Sequence, residues 1–148
     1  MTAVAPVGAV DVHALLADGL TPDAMYAMLE SLPTHAIGDA FPLRHIFAPG
    51  VYLREITMPA GWAFLGERHL TRHANIVSQG RVSFRAGGAV QTVEAPYTFV
   101  SEPGVQKMLY IHEKTVWTTV HPTTETDIDR LEALLIAPRM HLRTREGV

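Results

Sequence analysis

Residues 61–80 read GWAFLGERHLTRHANIVSQG and carry the clearest chemical signal in this 148-residue chain. Within them, Glu67, His69, Thr71 and His73 stand two positions apart. Side chains two apart on a β-strand point to the same face of a sheet, so this spacing predicts that a carboxylate and two imidazoles converge. Neutral nitrogen combined with anionic oxygen suits divalent Fe, Mn, Ni or Zn. The stretch therefore predicts a metal site with positions left for water or a small ligand.

Short segments with strand character surround this stretch. Glycine and proline punctuate the middle of the chain, and apolar and polar residues alternate between them, for example over residues 81–85. Gly87-Gly88 predicts a two-residue hairpin turn, since both positions tolerate positive φ. About eight strands without intervening helices predict an antiparallel barrel or sandwich. The predicted strands are residues 51–58, 62–70, 74–78, 81–85, 89–94, 97–101, 108–112 and 115–121.

Helical patterns flank the predicted strands. Thr21-Pro22 is a typical helix start, and an apolar stripe follows it as far as Leu32. A second helix follows the capping residues 124–127. Its predicted apolar stripe is Ile128, Leu131, Leu134 and Leu135. We therefore divide the chain into an N-terminal helical extension (1–40), a barrel (41–122) and a C-terminal helix with a basic tail (123–148).

The composition excludes several classes of protein. Apolar residues make up 47% and charged residues 18%, as in a folded domain rather than a disordered chain. The absence of cysteine excludes disulfides, thiolate metal sites and cysteine nucleophiles. The net charge of -3 gives no reason to expect a nucleic-acid partner, and no apolar run is long enough to span a membrane. Residues 1–10 lack the features of a secretory signal, so we expect a cytoplasmic protein.

The spacing within residues 61–80 resembles the first motif of the cupin superfamily. That motif is a glycine, five residues, His-x-His, three or four residues, a glutamate, six residues and a glycine. Here Gly61, Glu67, His69, His73 and Gly80 stand at the corresponding positions, with glutamate and histidine exchanged between the outer two ligand positions. The resemblance implies an all-β fold, a cupin-type double-stranded β-helix (RmlC-like jelly-roll) barrel with flanking N- and C-terminal helices, and a metal inside the barrel.

The second cupin motif is incomplete in this chain. Gly104 matches it, but Glu102, Lys107 and Ile111 replace the proline, histidine and asparagine of the motif. The usual fourth metal ligand is thus a lysine, which is charged at neutral pH and does not normally bind metals.

Three alternatives follow from the missing ligand. The site has three ligands, or His112 or His121 supplies a fourth, or the barrel is free of metal and Lys107 pairs with Glu67 inside it. The candidate metal ligands are Glu67, His69, His73 and His121.

Residues 43–135 also resemble small cupin-like proteins of tailed phages and prophages, through segments 47–52, 69–73 and 112–121. The role of those proteins is unknown, and the resemblance implies location in the host cytoplasm. Two functions remain open. The chain binds a divalent metal, and with it a small-molecule ligand, whether or not it is an enzyme. Alternatively, it is a metal-free structural or accessory interaction protein.

A homodimer is expected for either function. One of two short strands, 43–47 or 51–58, is predicted at a sheet edge, where pairing across a two-fold axis would cover it. Neither nucleic acid nor a membrane is an expected partner.

Overall fold

The computed structural model describes residues 4–6, 24, 27, 41–86 and 89–137, and more than half of them form antiparallel β-sheet. The strands are β1 (Val4–Pro6), β2 (Leu43–Ala48), β3 (Val51–Met58), β4 (Trp62–Leu65), β5 (His73–Arg85), β6 (Val90–Glu94), β7 (Tyr97–Ser101) and β8 (Met108–Pro122). Helix α1 (Ile128–Leu135) follows them. Ala24 and Ala27 are helical. The rest of the predicted N-terminal helix, the turn at Gly87-Gly88 and the basic tail from 138 onward lie outside the described residues.

Two long strands, β5 and β8, organise the sheet. β8 pairs with β3 and β4 along one edge and with β5 along the other, and β5 also pairs with β6 and β7. The sequence predicted each long strand as two short ones, and this was wrong. Register shifts between Val77 and Val82 let β5 bend while it continues to pair with β8, so the glycine and polar residues there mark a bend and not a break.

The bend allows both halves of the long strands to share one core. The buried cluster contains Val77 and Trp117 from one half and Phe84 and Ile111 from the other. The rings of Phe84 and Trp117 meet edge to face, with centroids 5.6 Å apart, and Phe99 stacks on Phe84 at 5.4 Å. Each large side chain buried in this way contributes about 1.5–3 kcal/mol. The two halves of the sheet are therefore held against each other by aromatic contacts.

The predicted strand 62–70 ends early, at Leu65, and residues 66–72 form a loop. The loop has its own backbone partners, which are distant in the sequence, and the alternating side chains therefore do not lie on one strand face. His69 forms an isolated bridge with Ile136. This bridge consists of the bonds from the N–H of Leu70 to the C=O of Leu135 and from the N–H of Ala137 to the C=O of Arg68. In addition, the N–H of Gly104 donates to the C=O of His69, and all three bonds are 2.8 Å long.

Helix α1 packs against the sheet at Tyr52. It begins after Asp127, whose side chain accepts a hydrogen bond from the N–H of Arg130 at 3.0 Å. Leu131 and Leu135 are buried together with Tyr52. Leu134 was predicted in the apolar stripe, but it is 57% exposed, because the contact covers only one narrow face of the helix. None of the helices among the described residues is long and apolar enough to cross a bilayer.

Of the two strands expected at an edge, β2 lies there within the described sheet. β3 is interior, since it pairs with β2 on one side and with β8 on the other. Of these two strands, β2 is therefore the one whose edge could pair with a second copy of the chain.

Candidate metal centre and adjoining cavity

Three histidine rings meet where α1 covers the sheet. The ring centroids of His69 and His73 are 4.3 Å apart, those of His73 and His121 are 4.9 Å apart, and those of His69 and His121 are 5.6 Å apart. Ala74 of β5 pairs with Val120 of β8, so the next positions along the two strands, His73 and His121, are side by side. The backbone bonds of the 66–72 loop bring His69 to the same place. We call these three residues the histidine cluster.

Hydrogen bonds orient two of the three rings. Nδ1 of His73 lies 3.0 Å from the carbonyl of Thr71; because a carbonyl only accepts, Nδ1 carries the proton and Nε2 presents a lone pair. Nε2 of His121 lies 3.0 Å from the hydroxyl of Thr119. Within the described part of the chain, Nε2 of His73 and Nδ1 of His121 are buried without a hydrogen-bond partner. Leaving such an atom unpaired costs about 1–3 kcal/mol, so this pair of nitrogens calls for an explanation.

The environment keeps the cluster neutral at physiological pH. Burial, reinforced by His73 and His121, lowers the pKa of His69 to about 3. Burial, reinforced by His73, lowers the pKa of His121 to about 4. Burial also lowers the pKa of His73, although its bond to the carbonyl of Thr71 acts in the opposite direction. The neutral imidazole is the form that binds metals.

The rings are packed against one another, with interplanar angles between 18° and 45°. As they stand, no three His, Cys, Asp or Glu side chains among the described residues form a set that could hold a metal ion. Metal binding here therefore requires the rings to turn about their side-chain bonds.

Two cavities adjoin His69. The larger has about 60 Å³ of solvent-accessible volume; its polar wall is Arg54, Glu67, His69, Lys107 and Thr119, and its apolar wall is Ile56, Met58, Leu109 and Trp117. The smaller, of about 10 Å³, lies beneath α1 and is lined by Tyr52, Arg54, His69, His121, Glu132 and the apolar side of the helix. His69 and Arg54 line both cavities, so they separate the larger cavity from the space under the helix.

The structure brings three of the four predicted ligands together, and the fourth, Glu67, lines the larger cavity with His69. The strand face that was expected to carry Glu67 beside the histidines is not formed, because β4 ends before it. Glu67 and Lys107, the pair predicted for a metal-free barrel, line the same cavity. His112, the other histidine considered for the fourth position, is held elsewhere: its Nε2 lies 2.6 Å from Oγ of Ser83.

Arg54 lines both cavities although the sequence did not predict it as a cavity residue. Tyr52, Ile56 and Met58 of β3 are buried, and Arg54 shares their face because it stands two positions from Tyr52 and from Ile56. The alternation over residues 51–58 contained this signal, since an arginine stands there among inward-facing positions.

No protein-family model matches the chain. No curated protein sequence matches it either.

Several solved structures resemble the chain. An acetylacetone dioxygenase from Acinetobacter johnsonii is 16% identical with a TM-score of 0.46, over 54% of this chain and 58% of that one. A cupin-2 domain containing protein from Shewanella frigidimarina is 15% identical with a TM-score of 0.47, over 66% of this chain and 90% of that one. An RmlC-like cupin family protein with a double-stranded β-helix fold from Methanocaldococcus jannaschii is 9% identical with a TM-score of 0.48, over 55% of this chain and 79% of that one. The match thus spans little more than half of the dioxygenase.

Proposed function

We propose that this protein is a cupin-type domain that binds one divalent metal ion through His69, His73 and His121, with Glu67 as the accompanying carboxylate. The observation that carries the proposal is the pair of buried nitrogens, Nε2 of His73 and Nδ1 of His121, that lack a hydrogen-bond partner among the described residues. A bound cation would satisfy both nitrogens at once when Nε2 of His121 donates to the hydroxyl of Thr119, which leaves Nδ1 of His121 with its lone pair.

The donor set supports Fe, Mn, Ni or Zn as the ion, because imidazole suits these metals and a carboxylate completes the set. When bound, such an ion acts as a Lewis acid toward water or a chelating ligand. The chain contributes the orientation of the rings. The carbonyl of Thr71 holds the tautomer of His73 that leaves Nε2 available, and the hydroxyl of Thr119 holds His121. Such bonds behind a ligand typically tune metal affinity by about 10–100-fold.

Replacing His73 or His121 with alanine is expected to weaken metal binding enough that the ion is lost on dialysis, because each substitution removes one of the four proposed donors. The protein, purified without a metal-binding tag, is incubated with Zn²⁺ or Mn²⁺, dialysed and subjected to elemental analysis. We expect about one ion per chain for the natural sequence. The matched control is His112→Ala, which removes a histidine bonded to Ser83 and should leave the metal content unchanged.

Cobalt(II) provides a spectroscopic readout of the same site. Its visible absorption bands should be present in the natural sequence and His112→Ala, and lost in His73→Ala and His121→Ala. A natural-sequence protein that retains no metal after reconstitution would contradict the proposal, and a metal-loaded His69→Ala would remove His69 from the ligand set.

The second candidate function is a homodimeric interaction protein, and the position of β2 favours it. β2 is at the edge of the described sheet, and Phe47 on it is 41% exposed. Exposed strand edges pair readily with a second copy unless they are covered. A dimer through β2 is compatible with either a metal-bound or a metal-free barrel.

Sedimentation velocity at micromolar concentration is expected to show a dimer. Because Phe47 is exposed on this edge strand, Phe47→Glu replaces apolar contact surface with a charge that the dimer would bury, and it should weaken the dimer at least about tenfold. Glu102→Gln, at an exposed position outside β2, serves as the control. A monomer at every concentration tested would exclude this assembly.

A further inference from the structure

The larger cavity is lined by two cations that metal binding does not use, a buried lysine and a half-buried arginine. Arg54 reaches it from β3, and Lys107, which is 9% exposed, reaches it from the residue before β8. Glu67 is the single acidic side chain among the described residues that line this cavity. Buried lysine and arginine side chains are rare in the absence of a negative partner. The wall therefore has more positive than negative groups and is suited to an anion.

The surroundings of the two cations support this conclusion. Burial lowers the pKa of Lys107 to about 8, and its ammonium lies 5.9 Å from the centroid of the Phe99 ring. Burial also lowers the pKa of Arg54, and Glu132 under α1 acts in the opposite direction. The charges of both cations lower the pKa of His69, so they are close enough to act on the same point. An anion between them would interact through charge-assisted hydrogen bonds in a poorly solvated site.

The remaining wall is apolar and rigid. Ile56, Met58 and Leu109 are buried, and so is Trp117, whose Nε1–H donates to Oδ1 of Asn75 at 3.0 Å. This hydrogen bond fixes the indole ring, so the apolar wall has a defined shape. A ligand for this cavity must therefore combine a negative group with a short hydrocarbon part.

We propose that the cavity binds the carboxylate of a small aliphatic acid, with the carboxylate between Arg54 and Lys107 and the hydrocarbon part against Trp117 and Leu109. The size of the ligand follows from the volume of about 60 Å³. Since one water needs about 10–15 Å³ of such volume, the cavity accommodates roughly four to six heavy atoms. Acids of two to four carbons meet this limit. This inference deepens the proposed function, because His69 lines the same cavity and the acid would lie beside the metal.

The test compares propionate with propionamide, which has the same shape but no charge. Isothermal titration is carried out on protein stripped of metal and dialysed into a carboxylate-free buffer. We expect propionate to bind at least about tenfold more tightly than propionamide. Equal affinity for the two compounds, or no binding of propionate, would overturn the inference without the use of any variant.

Variants then locate the site. Arg54→Gln and Lys107→Gln should each weaken propionate binding at least about tenfold, because each removes one charge partner of the carboxylate. Arg44→Gln is the matched control, because Arg44 is exposed and pairs with Glu55 on the surface of the same pair of strands. Propionate affinity that is unchanged in both cavity variants would overturn the assignment, and thermal melting verifies that each variant is folded.

Elemental analysis of the same proteins separates this inference from the proposed function. Propionate binding that depends on Arg54, in a protein that never retains metal, would support the anion site and refute the metal site. If the protein retains stoichiometric metal but binds propionate no more tightly than propionamide, the metal site is supported and the anion site is refuted.

Discussion

The metal-free protein is expected to lose most of its stability between pH 7 and pH 5. The cause is the histidine cluster, in which burial holds the pKa of His69 at about 3 and that of His121 at about 4 in the folded state. In the unfolded chain both rings have the ordinary histidine pKa of about 6.5. Between these values the unfolded state binds protons that the folded state does not, so the free energy of unfolding falls as the pH falls.

The size of the effect follows from the number of protons. Each histidine contributes up to about 1.4 kcal/mol per pH unit, so two contribute about 2.7 kcal/mol per pH unit within the window from about 6.5 to about 4. His73, whose pKa is also lowered, acts in the same direction. From pH 7 to pH 5 the loss amounts to about 4 kcal/mol, close to the whole stability of a marginal domain.

Urea unfolding at pH 7, 6 and 5, on protein stripped of metal, measures this loss. His121→Gln should reduce the pH dependence of the free energy of unfolding by the equivalent of about one proton, because it removes one ring that takes up a proton only when the chain unfolds. His112→Gln, which alters a half-buried histidine outside the cluster, should retain most of the slope. Stability that is flat over these two pH units would show that the cluster is not buried in its neutral form.

Replacing Gly80 with alanine is expected to prevent folding. Gly80 has a φ of +96°, which L side chains rarely adopt, and it lies at the bend of β5. An added Cβ would meet the carbonyl oxygen of Lys114 and lie 2.7 Å from the Cα of Thr115. Both are backbone atoms of β8 and cannot move without disturbing the central strand pair. The cost should exceed about 4 kcal/mol, as expected for a steric clash added to a strained φ.

Gly104→Ala is the matched control for this substitution. Gly104 also has a positive φ, of +83°, but nothing lies within 4 Å of the position of an added Cβ. Its replacement should cost only the conformational strain, about 1–2 kcal/mol. Thermal melting of the two variants separates the cost of backbone strain from the cost of the steric clash. A Gly80→Ala protein as stable as Gly104→Ala would contradict the close packing of Gly80 against β8.

Much of the sheet could be predicted from the local pattern of side chains. The bounds of β3 and β7 match the prediction, because both are short strands that end at Pro or Gly or next to a turn. The bends of β5 and β8 could not be predicted, since polar residues and glycine within a strand look like its end. The end of β4 at Leu65 could not be predicted either, because the loop that follows it is held by hydrogen bonds to residues 104 and 135–137, which are distant in the sequence.

The residues of the histidine cluster were predicted from the sequence, but the elements that bring them together were not. His69 and His73 were chosen because of a two-residue spacing, yet a loop, not a strand face, brings His69 to His73. His121 was included as the candidate for the missing fourth ligand, and the pairing of β5 with β8 places it beside His73. The metal, the homodimer and the link to phage-encoded proteins stay predictions.

The loop that carries His69 is held by bonds between backbone atoms, which has a consequence for how this protein can change over time. The segment 135–137 contributes the N–H of Ala137 and the carbonyl of Leu135, groups that nearly every amino acid provides. Substitutions at Ala137 can accumulate without moving His69, whereas Leu135 must stay apolar because its side chain is buried with Tyr52. The loss or insertion of a single residue would shift every bond in this segment. Related sequences should therefore vary at position 137 but retain an apolar residue at position 135 and the number of residues from the start of α1 to this attachment.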